Sequence, residues 1–470
     1  MKLNVGIKNF GKIKDAYIKI APFTVIGGAN ASGKSFVSRA LYSFFSTINK
    51  DHVTNTSIQS LQRIRQLLIS ALHTASNPSN KVIDMHHNLL KLTQEVEETV
   101  VKEVGSCTFT EQKSRLIILE DLISFFDQSL TELQDEIRNT KKYENLQDRL
   151  RLIQRNLDRF SETIQFPTEI LETNIEKGFT EALKENFQAP NLSDLRNHNC
   201  KDEVASFNFD KLGSISLRGE SISFELTTES VNQFQSLYNV VFIESPIYWK
   251  LRRPLQKVNE KFLNNSFFAL HRKIDGLNGV PKYFYDLIEL IEKNIKSQNK
   301  DSRILEIQST LKNTLGGELN VSESGDIFYK EFDSSRSVNL NLTATGITNL
   351  GLIGLLLQRN VISEGSFIFV DEPEINLHPA WQKLMVKVLY QLSRSGVNIV
   401  ITSHSIDMMK YIENIMEELS DSEIKEHFAV NRLKNDGYSI NDNDHPLRSL
   451  AEIKEDLGRP FYEMMLESWN

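Results

Sequence analysis

Hydrophobic and polar positions alternate with a period of two over the first twenty residues. Leu3, Val5 and Ile7 take every second position, Gly11-Lys12 breaks the run, and Ala16, Ile18 and Ile20 resume it before Pro22. This pattern predicts two strands joined by a turn. Phe23-Thr24-Val25-Ile26 is a short unbroken apolar run and predicts a third, buried strand. The period then becomes helical over 36–48 and again over 58–72, where Leu61, Ile64, Leu67, Leu68 and Leu72 share one face.

From about 84 to 176 glycine and proline are scarce and charges of both signs are dense, which is the composition of long helices. Leu119, Leu122, Phe126, Leu130, Leu133 and Ile137 recur at steps of three and four, as do Leu146, Leu150, Ile153, Leu157, Phe160 and Ile164. Both series have the form of coiled-coil seams. The polar stretch 139–143 between them reads as a hairpin turn. Two arrangements follow equally: a projecting antiparallel coiled coil, or two packed helices of a globular helical subdomain. Either is inserted material, with Pro167 or Pro190 marking its exit.

Short strands are predicted at 206–209, 214–217 and 221–226, and Val240-Val241-Phe242-Ile243 reads as a buried strand followed by a loop at Glu244-Ser245-Pro246. A second helical segment covers about 255–315. The segments 318–321 and 326–330 flank Ser322-Glu323-Ser324-Gly325, a hairpin signal. The expected divisions are therefore 1–83, a first half-core; 84–200, a helical or coiled-coil insertion; 201–250, core strands; 251–315, a second helical insertion; and 316–470, the second half-core.

Candidate chemistry begins at Gly28-Ala29-Asn30-Ala31-Ser32-Gly33-Lys34-Ser35, which fits G-x-x-x-x-G-K-[ST] without a mismatch. Strand before and helix after are the context that makes this pattern a phosphate-binding loop. Successive backbone N–H groups can wrap nucleotide phosphates, and the helix N-terminus adds partial positive charge. Gly28, Asn30, Gly33, Lys34, Ser35 and Phe36 are the expected phosphate-binding positions. Lys34 would reach the outer phosphates of ATP and Ser35 would hold Mg²⁺. The competing reading is a Gly/Ser-rich turn with a stray lysine.

Phe367-Ile368-Phe369-Val370-Asp371-Glu372 runs four apolar residues into two acids. A buried strand ending in carboxylates meets the edge where open α/β sheets bind ligands. In a P-loop ATPase Asp371 would hold Mg²⁺ through water, and Glu372 would orient and deprotonate the attacking water. Val397 to His404 is another apolar strand with a histidine just past its end, where an imidazole can meet a γ-phosphate or the attacking water. Glu372 and His404 are the expected catalytic pair.

Lys34 and Asp371 lie much further apart than one or two βα units allow, so large inserts must interrupt the nucleotide domain. The P-loop, the run Asp371-Glu372-Pro373-Glu374-Ile375-Asn376-Leu377-His378-Pro379 and the Ile401-Thr402-Ser403-His404 strand together resemble the ABC-type ATPases of the SMC, RecF and OLD group. The resemblance is closest to the AAA-like ATPases of bacterial antiphage systems such as Septu and PARIS. It covers about 1–80 and 315–440, and it implies an α/β ABC-type P-loop core with N-terminal antiparallel strands and large helical insertions. It also implies a signature loop that caps a partner subunit's ATP. The matching stretch is Leu342-Thr343-Ala344-Thr345-Gly346, with Thr345 and Gly346 as donors. The usual serine is replaced by Ala344, leaving Thr343 or Thr345 as substitutes. Ile375 to His378 would form the interface loop, and the region of Glu244 is the candidate for the family's Mg²⁺-contacting glutamine.

The implied function is an ATP-binding, hydrolysing homodimer or higher homo-oligomer that controls a nuclease or other effector from the same operon. The alternative is a DNA-clamping ATPase of repair or chromosome maintenance, which would bind DNA in a salt-sensitive, ATP-dependent way; a transporter ATPase subunit is a third class, disfavoured by the long inserts. OLD nucleases carry a further metal-dependent domain after the ATPase, and the stretch after His404 is too short to predict one. Asn441-Asp442-Asn443-Asp444-His445 reads as a polar hairpin loop in preference to a metal site.

Composition narrows this further. A net charge of −8 argues against a surface built to coat nucleic acid. The local basic run Lys250-Leu251-Arg252-Arg253 could meet phosphate backbone or be a solvated helix face. No apolar run approaches the roughly 20 residues that span a bilayer, and the first residues alternate like a strand and carry no signal-peptide core, so a cytoplasmic protein without membrane contact is expected. Two cysteines, Cys107 and Cys200, predict no disulfide framework and no Cys/His metal site.

Overall fold

In the computed structural model, residues 1–467 are described except 76, 106, 139, 245–246, 254, 257–278, 294–301, 335 and 441–444. The expected loop at Ser245-Pro246, the polar loop at 441–444 and much of the second helical segment lie outside the described residues. The chain divides into two compact units: 1–49, 179–227 and 237–470 form one, and 50–178 with 228–236 form the other.

In the first unit the strands are β1 (Leu3–Phe10), β2 (Ile13–Ile20), β3 (Phe23–Gly27), β4 (Val204–Asn208), β5 (Gly213–Arg218), β6 (Ser221–Leu226) and β7 (Val240–Ile243), then β8 (Gly317–Val321), β9 (Ile327–Glu331), β10 (Ser337–Asn339), β11 (Phe367–Asp371), β12 (Asn398–Ser403), β13 (Phe428–Leu433) and β14 (Ser439–Ile440). Among the described residues they form three sheets, ordered β2-β1-β4-β5-β6, β10-β9-β8 and β14-β13-β3-β12-β11-β7. The third is parallel from β13 through β7, with β14 antiparallel at its edge. This is the expected α/β architecture with an antiparallel N-terminal sheet. Alternation and continuity sort the strands: β1 and β2 read apolar–polar and lie in the antiparallel sheet, whereas β3, β7, β11 and β12 are buried at every position. The hairpin at 322–325 is present, closed by the Ser322 N–H donating to the Asp326 carbonyl at 2.8 Å.

A buried amide helps tie the N-terminal antiparallel sheet to the six-stranded sheet. Asn431 on β13 donates from Nδ2 to the Lys19 carbonyl of β2 at 2.8 Å and accepts the Lys19 N–H at 2.7 Å. The helix Lys34–Ile48 covers the parallel sheet with an aromatic face: Phe45 meets Phe367 at 5.1 Å and Phe369 at 5.8 Å between ring centroids, and Tyr42 meets Phe242 at 5.4 Å. These rings supply both buried area and edge-to-face geometry.

In the second unit the helices His52–Ala71, Asn80–Thr99, Ile118–Ile137 and Glu144–Gln165 pack in a closed ring, each against the next and the last against the first. The two seams thus face a four-helix core. All six predicted residues of the second seam are buried, and in the first Ile123 turns inward where Leu122 was expected. A two-helix coiled coil needs only one narrow stripe per helix; here each helix has two neighbours, which selects the bundle.

A half-buried histidine in the first unit links stability to pH. His427 accepts or donates at Nε2 to Ser393 Oγ, 2.7 Å away, and packs on Tyr390. Burial first, then the cations Arg394, Lys2 and the N-terminus, push the imidazole down to about 4 from 6.5. A depressed folded-state pKa means the unfolded chain binds the proton more readily, so the contribution is fully present above pH 6.5 and is lost as pH falls through 4. For a half-buried ring, screening reduces it to on the order of 1 kcal/mol. Denaturation midpoints are expected to fall between pH 7 and pH 4.5, and His427→Gln to flatten that dependence.

Candidate active site

Strand register assembles the site. Asp371 pairs with Thr402, Thr402 with Ile26, and Ser403 with Gly27, so the C-terminal ends of β11, β12 and β3 finish in one row. The loop 28–33 leaves β3 at that row and delivers Lys34 and Ser35 at the start of a helix. Gly33 is left-handed, with φ 98°, and a Cβ there would lie 2.8 Å from Ile13 Cδ1. A Cβ on Gly28 would collide with the Leu433 carbonyl of β13. Ala29, Asn30 and Ala31 are exposed, and Phe36 sits on Phe187 with ring centroids 5.1 Å apart.

Lys34 is buried and donates to the loop carbonyls of Gly28 and Ala29, both at 2.9 Å. Burial lowers the pKa of its ammonium, against the pull of Glu372, Asp371 and Glu374. Ser35 Oγ donates to Asp371 Oδ1 at 3.1 Å. A hydroxyl and a carboxylate this close form a hard-oxygen donor pair, which fits Mg²⁺ completed by phosphate oxygens and water. Among the described residues no group of three or more His, Cys, Asp or Glu side chains is arranged to hold a metal by itself. Burial pushes the Asp371 carboxyl up to about 6, with the Thr402 hydroxyl bond opposing it.

Three consecutive residues at the end of β12 each hold one acid. Thr402 Oγ1 donates to Asp371, Ser403 Oγ donates to Glu374 at 2.8 Å, and His404 Nδ1 lies 3.1 Å from Glu372 Oε1. Glu372 itself is left-handed at φ 50°, with its N–H on the Thr402 carbonyl at 3.1 Å. A non-glycine residue held there stores strain of the kind that clusters at functional sites. Glu372 and His404 are thus brought together with Lys34, Ser35 and Asp371.

Thr345 and Gly346 begin the helix Thr345–Gln358, whose N-cap is Ala344 and makes no side-chain cap. A Cβ on Gly346 would sit 3.0 Å from the Trp381 ring and 3.4 Å from the Asn376 carbonyl. The predicted signature therefore packs on the predicted interface loop. Asn349 on the same helix donates to the Ile375 carbonyl at 2.9 Å, and His378 Nδ1 accepts the Ala380 N–H at 3.3 Å as cap of the next helix.

Glu244 lines the same cleft as Asp371 and Glu372, but its carboxylate is bound to Arg39 at 2.6 Å and accepts the Tyr283 hydroxyl. Arg39, Tyr283, Thr402, Ser403 and Glu374 were not singled out from the sequence. Glu374, Thr402 and Ser403 lie inside the two quoted motif runs, but nothing in the sequence gives the partners they meet.

The family model described as "AAA ATPase domain" matches residues 1–409. The chain belongs to the AAA ATPase domain family. Within curated proteins this AAA ATPase domain chain is 26% identical over 110 residues to ATP-binding cassette sub-family A member 2 of Homo sapiens, spanning 23% of this chain and 4% of that protein. It is 26% identical over 88 residues to the energy-coupling factor transporter ATP-binding protein EcfA of Methanococcus maripaludis, spanning 19% of this chain and 32% of that protein. The chain thus spans only a small part of the curated relatives it matches. Among solved structures it is similar to an SmcHead bound to the C-winged helix domain of ScpA, at 14% identity and TM-score 0.39, covering 93% of this chain and 95% of that one. An SMC head domain from Thermotoga maritima follows at 11% identity and TM-score 0.34, covering 92% and 94%. No described helix is long and apolar enough to cross a membrane.

Proposed function

We propose that this AAA ATPase domain protein is a Mg²⁺-dependent, ATP-hydrolysing switch that pairs head to tail and controls a partner effector. The observation that carries the reading is the meeting of Lys34, Ser35, Asp371, Glu372 and His404 at one edge of one parallel sheet. The N–H groups of Gly28 to Phe36 would take the phosphates, with Lys34 leaving its two loop carbonyls for phosphate oxygens. Ser35 and Asp371 would hold Mg²⁺, which when bound neutralises charge on those oxygens. Glu372 would take the proton of the attacking water, and His404 would face the γ-phosphate.

Thr345 and Gly346 would act on the ATP of a second copy, because their helix begins with uncapped N–H groups beside the interface loop. Nucleotide would then join subunits into a homodimer or larger homo-oligomer, and hydrolysis would part them. The resemblance points to a nuclease effector in bacterial antiphage defence as the controlled partner. The DNA-clamp alternative finds less support in the 250–253 run. Lys250 donates to the Thr343 carbonyl at 2.9 Å, Arg252 pairs with Glu292 at 3.0 Å, and Arg253 with Asp326 at 2.6 Å.

The test is purification from the native operon with ATP and Mg²⁺, as wild type and Glu372→Gln, with the eluting assemblies weighed. A second polypeptide that co-elutes and changes stoichiometry in Glu372→Gln supports the switch. A chain that elutes alone and retains DNA only with ATP puts the clamp in its place.

A further inference from the structure

Glu374 lies three residues past Asp371, outside every role assigned above. It is 8% exposed, and its two oxygens have different fates. Oε1 accepts the Ser403 hydroxyl at 2.8 Å and the His404 backbone N–H at 3.1 Å, and stands 3.6 Å from His404 Nδ1. Oε2 is buried with no hydrogen-bond partner. An unsatisfied buried carboxylate oxygen is costly, and stability alone would replace it with an apolar side chain. The position has to be explained by what Oε1 holds.

It holds the histidine from two directions. The Ser403 hydroxyl and the His404 backbone N–H are pinned at the end of β12, while negative charge is placed on the same side of the imidazole that meets Glu372 Oε1. One carboxylate hydrogen-bonded to Nδ1 and the charge of a second 3.6 Å from it favour the proton at Nδ1, which leaves Nε2 directed away from both acids. The logic is that of a buried carboxylate fixing tautomer and orientation of a histidine that does the chemistry elsewhere.

We infer that Glu374 is a positioning residue that fixes the Nδ1-protonated state and the orientation of His404. The inference rests on the proposed role of His404 toward the γ-phosphate for its kinetic consequence, and on geometry alone for the state of the ring. Glu374→Gln isolates the charge: an amide oxygen can still accept from Ser403 and His404, so the backbone stays pinned while the negative charge is lost.

The experiment uses the full chain labelled with ¹⁵N-histidine, with the His404 signal assigned by its loss in His404→Gln. The wild type is expected to show Nδ1 protonated, and Glu374→Gln to move the ring nitrogen shifts; shifts unchanged by Glu374→Gln would overturn the inference. Steady-state kinetics adds the second arm. Glu374→Gln is expected to lower kcat about tenfold or more with KM within about twofold, and the double variant Glu374→Gln/His404→Gln to be no slower than His404→Gln alone. Additive losses, or a KM and melting midpoint that move equally in both backgrounds, would make Glu374 a structural residue and sink the proposal. A ring that responds to Glu374→Gln in a chain without ATPase activity would instead leave the positioning intact and refute the proposed function.

Discussion

Glu372→Gln is expected to cut steady-state ATP hydrolysis by about 10²- to 10⁴-fold while leaving nucleotide binding within about twofold. The amide occupies the same volume and the residue is held by its backbone, whose N–H meets the Thr402 carbonyl at 3.1 Å and Thr402 Oγ1 at 3.3 Å. Lys34, Ser35 and the loop glycines are untouched, so the phosphate cradle persists. What disappears is the proton acceptor beside His404, 3.1 Å away. Single-turnover measurements with bound ATP separate the two stages: ATP is expected to bind and persist. Hydrolysis at the wild-type rate would place the base elsewhere.

Phe45→Ala is expected to destabilise the first unit by about 3–5 kcal/mol. Its ring is fully buried and sits against Phe367 and Phe369 of β11 and, at 6.4 Å, against Phe209. Truncation leaves a cavity between the helix that carries Lys34 and Ser35 and the strand that carries Asp371. A fall in denaturant midpoint is the first measurement; Phe45→Leu, which refills most of the space, should cost roughly 1–1.5 kcal/mol. The site should suffer with the core, since Ser35 and Asp371 must stay within 3.1 Å, and a raised KM for Mg·ATP checks this. An unchanged midpoint would show that the aromatic face is not what seats the helix.

The elements that could be read in advance share one property: their pattern is local. The alternation of β1 and β2, the apolar runs of β3, β7, β11 and β12, and the helix after the P-loop follow from neighbours within a few residues. The candidate-site residues that were legible are those where a motif sits at a strand end, namely Gly28 to Ser35, Asp371-Glu372 and His404. Glu374, Ser403 and Arg39 were not, because each acts on a group brought near only by folding: Arg39 meets Glu244, and Ser403 meets Glu374. The basic run at 250–253 shows the converse. Its charge is plain in the sequence, but Glu292 and Asp326, which neutralise Arg252 and Arg253, come from distant segments.

By itself the sequence determined the strand and helix types, the P-loop, the acids at the end of one buried strand and the histidine at the end of another. Those are consequences of periodicity and of short motifs, where chemistry and geometry are set by covalent neighbours. Only the tertiary structure decided that β12 lies between β3 and β11, so that Thr402, Ser403 and His404 each reach a different acid, and that the two helical seams close into a four-helix bundle. Strand order and helix partnership depend on which apolar faces bury one another. Many pairings of similar faces satisfy the same pattern, and only packing of the whole unit selects one.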